Sequence, residues 1–382
     1  MVDVLTTDDL VRARLISQGL APAASGSVAS VARSMLAMQA QDWPGALWAL
    51  GLRSRAALPD VENAFNSGEL VRSWPLRGTL HVVPAEDLGW LLRLAAPRQL
   101  GPTMVRRQQF LGITQTVLKQ ARQVAIDSLT GGRALTREQL TSCFQDAGIR
   151  LQRGWKYHLI WYLSQTGTLV FGPIRDGEQL LVLADEWITA PRELRPSEAL
   201  AELAARYVSS HGPATVDDLA WWSGLGKRSA ADGLALADGP VKAVSGANGR
   251  TYWVRADMPI PVPPLESTDV HLLPGFDECI IGYADRSPVL PDAHAAKLCP
   301  GGNAVFRPTV CAAGVCVATW QGIAPAALRR LADESSMPVS VAAFTNSDAK
   351  RLAKSALQAA ADAYAHFLGR PAAVVTTSVY EA

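Results

Sequence analysis

Leu70-Val71-Arg72-Ser73-Trp74, a turn from Pro75 to Gly78, then Thr79-Leu80-His81-Val82-Val83 is the stretch on which the fold hangs. Both arms are rich in β-branched and aromatic residues, and the Pro/Gly punctuation between them reads as an antiparallel hairpin. The pattern returns twice. Thr168-Leu169-Val170-Phe171 and Gln179-Leu180-Leu181-Val182-Leu183 flank residues 172–177, and Val241-Lys242-Ala243-Val244 and Arg250-Thr251-Tyr252-Trp253-Val254 flank residues 245–249.

Outward from each hairpin lie helices whose starts share one signature. Thr6-x-x-Asp9-Leu10, Thr136-x-x-Gln139-Leu140 and Thr215-x-x-Asp218-Leu219 each place a hydroxyl at the N-cap and a carboxylate or amide three residues on. Those side chains satisfy the free N–H groups of a first helical turn. A helix beginning near Ser27 is expected to run to about Gln41, because Pro44 biases Trp43 away from the helical region and suits the start of the next helix. Residues 154–167 read as one helix, ended by Gly167, and residues 216–223 and 229–237 as a tight helical pair. Helices followed by a β-hairpin are the winged-helix pattern.

The fold class expected is α+β, with three tandem winged-helix domains over 1–112, 113–192 and 193–258 and a C-terminal region over 259–382. The run Pro259-Ile260-Pro261-Val262-Pro263-Pro264 marks that last boundary, since it can be neither helix nor central strand. Beyond it, strands are expected at 270–273, 305–311, 315–320, 339–344 and 373–379, and one long amphipathic helix at 346–368.

Composition narrows the classes. At 382 residues, 48% hydrophobic and 19% charged, the chain can bury several cores. It shows no charged leader followed by an apolar run and no 18-residue apolar stretch, so a cytoplasmic protein without a membrane span is expected. The cysteines Cys143, Cys279, Cys299, Cys311 and Cys316 are odd in number and form no C-x-x-C pair. Neither a disulfide framework nor a metal site is expected, although Cys311 and Cys316 flank Gly314 and would face each other across a hairpin as reduced packing residues. Asp277, Glu278 and Asp285 match no hard-cation loop and are expected to pair with Arg286 or Arg307. The net charge of +1 hides a basic stretch, with eight Lys or Arg and one acid between Arg93 and Arg137. Arginine forks suit phosphate, as do Gly226-Lys227-Arg228-Ser229 at the start of a presumed recognition helix.

Gln39-Ala40-Gln41 sits where the helix from Ser27 ends. On a continuing helix the two amides would point to opposite sides. Past a break both can face one space, where neutral amides orient a water or stabilise a developing cation without acting as acid or base. Architecture and charge leave two classes open: a DNA-acting enzyme, or a non-catalytic winged-helix regulator or adduct-binding resistance protein.

Gln39-Ala40-Gln41-Asp42, Arg72-x-Trp74-x-x-Arg77-Gly78-Thr79-Leu80-His81, Leu272-Leu273-Pro274-Gly275-Phe276-Asp277-Glu278 with Gly282-Tyr283-x-Asp285-Arg286, and Phe306-Arg307-Pro308-Thr309 together resemble the AlkZ/YcaQ group of bacterial winged-helix DNA glycosylases. The likeness spans nearly the whole chain, and the double glutamine is similar to the AlkZ branch. It implies three winged helices around a concave, DNA-sized surface and a monofunctional glycosylase. The implied reaction hydrolyses the N-glycosidic bond of N7-alkylated guanine in double-stranded DNA, bulky adducts and interstrand crosslinks included, in repair or self-resistance. Gln39 and Gln41 would be catalytic, Arg72, Arg77, His81, Arg106, Arg107, Lys227 and Arg228 would bind DNA, and the enzyme would act as a monomer without cofactor or metal.

Overall fold

The computed structural model describes residues 4–21, 26–237, 239–264, 269–302, 304–322 and 336–380. From the N-terminus run β1 (Val4–Leu5), α1 (Thr7–Ser17), α2 (Val28–Met35), β2 (Met38–Gln39), α3 (Trp43–Ser54) and α4 (Leu58–Asn66), then the first hairpin, β3 (Leu70–Leu76) and β4 (Thr79–Pro84). Five helices follow: α5 (Leu88–Gln99), α6 (Pro102–Leu111), α7 (Gln115–Leu129), α8 (Arg137–Asp146) and α9 (Trp155–Gln165). They lead to the second hairpin, β5 (Leu169–Arg175) and β6 (Glu178–Leu183). After α10 (Ala184–Trp187), α11 (Pro196–His211), α12 (Val216–Ser223) and α13 (Lys227–Leu236) comes the third hairpin, β7 (Val241–Gly246) and β8 (Thr251–Arg255). All three capping boxes close as written, with the Thr6, Thr136 and Thr215 hydroxyls accepting from the N3 backbone.

The hairpins do not stand apart. The first two join in one five-stranded sheet of order β2-β4-β3-β5-β6, in which Arg72 lies opposite Phe171. Trp74 of the first hairpin consequently fills the same core as Leu118, Phe144, Leu159 and Phe171. The third hairpin takes a parallel strand from the N-terminus, Val4 opposite Ser245. Arg14 of α1 donates from Nε to the Pro213 carbonyl at 3.0 Å and pairs with Asp218 at 3.5 Å. Residues 4–14 therefore lie against the third hairpin and its helices, although the expected 1–112 unit groups them with the first, while Leu15, Leu20 and Ala21 pack with the C-terminal region. The Pro-rich stretch lies against them, the Val262 N–H donating to the Asp9 carboxylate at 3.0 Å.

Beyond it β9 (Val270–Leu273), β10 (Thr309–Ala312), β11 (Val315–Gln321), β12 (Met337–Ala343) and β13 (Ala373–Val379) form a second five-stranded sheet, antiparallel except for the β12–β13 pair. Between β9 and β10 lie two short helices, α14 (Glu278–Ile281) and α15 (Asp292–Leu298). Two expectations change here. The strand foreseen over 305–311 begins only at Thr309, and the helix foreseen over 346–368 is two, Asn346–Arg351 and Lys354–Phe367, broken where Leu352 turns to ψ 86°. The two pieces bury against different partners. Asp348 in the first meets His294 at 3.2 Å, whereas Leu357, Ala361, Ala365 and Phe367 in the second pack with Trp48 and Leu272. Cys311 and Cys316 do face each other, their Sγ atoms 3.2 Å apart and buried. No described helix is long and apolar enough to cross a membrane.

Candidate active site

The helix expected to reach Gln41 stops at Met35. Leu36, fully buried, takes φ 62°, a conformation L residues rarely adopt, and turns the chain out of the helix. Met38 and Gln39 then pair with Val82 and His81 of the first hairpin, and the Ala40 N–H donates to the Leu80 carbonyl at 2.8 Å. In this near-strand geometry residues two apart share a side. The Gln41 N–H accordingly donates to the Gln39 Oε1, and the Leu80 N–H to the Gln41 Oε1, both at a long 3.4 Å. Each carbonyl keeps a lone pair for another donor, and neither side-chain NH₂ has a protein acceptor among the described residues. Gln39 is half-buried and Gln41 exposed, so both reach solvent.

Three buried groups hold this segment from behind. The Glu278 carboxylate accepts the Gln39 N–H at 2.7 Å with Oε1 and the Trp222 Nε1–H at 3.1 Å with Oε2, and His211 Nε2 stands 3.5 Å away. Burial alone would raise the Glu278 pKa, but His211 and then the Arg77 and His81 charges bring it down to about 2. Arg72 donates from Nε to the Ala40 carbonyl at 3.1 Å and from Nη1 to Gln179 Oε1 at 3.3 Å, with its guanidinium 4.8 Å from the Trp43 ring centre. Its pKa falls to about 9, chiefly through burial and then the Arg137 charge. His81 is fully enclosed, with Nδ1 2.8 Å from the Thr79 carbonyl and Nε2 unpartnered; burial and the Arg77 charge push its pKa down to about 4.

The expected DNA-facing residues thus divide. Arg72 and His81 are buried supports of the glutamine segment in this structure and present no group to a phosphate. Arg77 stands half-buried at the tip of the first hairpin with φ 53°. Arg106 and Arg107 are exposed on α6 and Arg228 at the start of α13, while Lys227 pairs with Asp217 at 2.9 Å. Asp42 occupies the N-cap position of α3 but makes no capping hydrogen bond. The acidic trio also disperses differently from expectation. Asp277 binds Arg53 through two bonds of 2.8 and 2.9 Å with both side chains buried, Glu278 turns to Gln39 and Trp222, and Asp285 meets Arg250 at 2.6 Å. Neither Arg286 nor Arg307 takes part. In the sequence Glu278 stands out as part of that trio and as the end of the Leu272-to-Glu278 motif, but its role depends on contacts 239 and 56 residues away.

Gln39 at the end of β2 and Gln41 just past it place two amides on a braced segment beside the first hairpin, an arrangement chemically suited to positioning and electrostatic work. A model of the family described as "DNA glycosylase AlkZ-like" matches residues 32–367, and the chain belongs to that family of DNA glycosylases. A curated relative, the "Interstrand DNA cross-link repair glycosylase" of Streptomyces sahachiroi, is 26% identical over 336 residues, covering 81% of this chain and 85% of the relative. The solved structure of "Streptomyces sahachiroi DNA glycosylase AlkZ" superposes with a TM-score of 0.77 at 22% identity, covering 98% of this chain and 100% of the other.

Proposed function

We propose that this chain is a monofunctional glycosylase that hydrolyses the bond between deoxyribose C1′ and N9 of guanine alkylated at N7, in double-stranded DNA. The observation that carries the reading is the Gln39–Gln41 pair: two amide carbonyls on one side of a braced segment, each with an unused lone pair. N7 alkylation places a positive charge on the base, so the departing purine takes the C1′–N9 electron pair and leaves neutral without being protonated. A water adds its oxygen to C1′ and gives its proton to solvent. The remaining task is to hold that water and stabilise the cationic sugar, which fixed carbonyl dipoles can do.

The absence of any required general acid implies dependence on a cationic leaving group. The relative named for interstrand cross-link repair supports extending the substrate to bulky adducts and crosslinks, with repair or self-resistance as the setting. Purified protein is expected to release 7-methylguanine from methylated duplex and to leave alkali-labile abasic sites. Gln39→Ala and Gln41→Ala should each lower the single-turnover rate by about 100-fold, the scale of removing one positioned transition-state dipole, while thermal midpoints stay within a few degrees. Undiminished rates in both variants would remove the mechanism, and no release from any cationic lesion would remove the substrate.

A further inference from the structure

At the tip of the first hairpin Arg77 packs on Gly224, where an added Cβ would come within 2.9 Å of its Cγ, and Trp221, three residues earlier, lies 5.3 Å from the guanidinium of Arg286, which follows α14; the end of α12 thus brings the two arginines to one place. Neither guanidinium has an ion pair with a described residue, although the chain carries almost as many acids as bases. The acids nearby are engaged elsewhere: Glu278 with Gln39 and Trp222, Asp285 with Arg250. Arg77 Nε is buried without a partner. Both pKa values are pushed below the ordinary arginine value by burial first; the Arg77 charge adds to that at Arg286, and Glu278 partly offsets it at Arg77. Two half-buried like charges with no direct ion pair, and only the distant field of Glu278 to offset one of them, cost folding energy that an incoming anion would relieve.

The site is also built before any ligand arrives. Arg286 Nε donates to the Ile280 carbonyl at 3.2 Å, and its guanidinium lies 5.3 Å from the Trp221 ring centre and 5.0 Å from that of Phe306. Trp221 is held by its own Nε1 bond to the Ile281 carbonyl at 3.2 Å, and Phe306 by an edge contact with Phe276 at 6.1 Å. Phe276 sits at φ 60°, and a Cβ on the preceding Gly275 would come within 2.7 Å of the Phe306 carbonyl oxygen. A strained turn is therefore used to set the wall against which Arg286 lies.

We infer that Arg77 and Arg286 form a two-arginine clamp for a single backbone phosphate of the DNA strand, walled by Trp221 and Phe306 and placed beside the glutamine segment. The inference rests on the glycosylase reading for its ligand class. Glu278 links the two sites, holding the Gln39 N–H on one side and lying within the field of Arg77 on the other. A planar fork held between aromatic faces loses little freedom on meeting a phosphate, which is where arginine and lysine differ most. Clamping the backbone at that point would fix the register of the sugar whose bond is cut.

The experiment is binding of a duplex carrying a tetrahydrofuran abasic analogue, followed by fluorescence anisotropy across a sodium chloride series. Arg286→Gln and Arg77→Gln should each weaken binding by about tenfold while the remaining arginine keeps most of the slope of log affinity against log salt. The double variant should make that slope shallower by about one unit, because both side chains serve one phosphate. Arg286→Lys should keep the wild-type slope and still bind several-fold more weakly; this arm decides the matter if Arg286→Gln lowers the melting temperature. An unchanged affinity in folded Arg286→Gln overturns the clamp, and a loss of about two units in the double variant overturns the shared phosphate. Base release is read separately. A protein that cleaves no lesion yet shows these slopes retains the clamp and loses only the proposed chemistry.

Discussion

Glu278 is held in its charged form although buried, because two N–H donors bond it and His211, Arg77 and His81 stand in its field, and one of those donors is the backbone of Gln39. Removing such a partner leaves polar groups stranded, which costs more than the bond contributes. Glu278→Gln is expected to lose about 2 to 3 kcal/mol of stability in urea titration, since one of the two N–H groups would then face an NH₂. Arg72 makes a sharper test of what burial means. It supports the Ala40 carbonyl between the two glutamines, so Arg72→Met should slow base release by about tenfold or more while DNA affinity stays within about twofold. A phosphate contact would show the opposite pattern, with affinity falling and the salt slope shallower.

Asp218 shows how an element's local signal acquires a second use. Its carboxylate closes the capping box of α12 by accepting from the Thr215 N–H and hydroxyl, both at 2.9 Å, and also accepts the Ala284 N–H at 2.9 Å while meeting Arg14 at 3.5 Å. The sequence announces the cap, because it is a matter of residues three apart. It is silent on the tie to residues 284 and 14, which exists only once the third helical unit, α1 and the C-terminal region meet. Replacing the purely local cap in Thr136→Ala should cost about 1 kcal/mol, whereas Asp218→Ala should cost roughly 3 kcal/mol or more. Comparable losses for the two in denaturant titrations would mean that the tertiary bonds of Asp218 contribute little. The break at Leu352 has the same origin. Helical periodicity is continuous across it, but the two pieces find different surfaces to bury.

At the scale of the molecule, three sheltered histidines are expected to shape the response to acid. His81, His158 and His271 are each pushed down to about 4, burial being the leading cause in all three. Between the unfolded value of 6.5 and the folded value of about 4, the unfolded chain binds the extra proton, so stability falls as pH drops through that window. His81 alone can account for up to about 3 kcal/mol of that loss. Glu278 acts lower: its contribution is present above 4.5 and disappears as pH falls towards about 2. Urea midpoints should therefore decline from pH 7 to pH 4 and drop again below, and His81→Gln should flatten the upper limb. A flat profile above pH 5 would mean that these histidines are protonated in the fold. What the chain wrote locally could be read in advance: three capping boxes, three hairpins and the two amides brought to one side, all carried by residues within a few positions of one another. Only the tertiary structure decided that the first two hairpins share one sheet, that the N-terminal strand joins the third, that Leu36 ends a helix at positive φ, and that Arg72 and His81 lie inside. Each of those outcomes is set by burial against residues far along the chain, and no local pattern encodes which distant surface will take a side chain out of water.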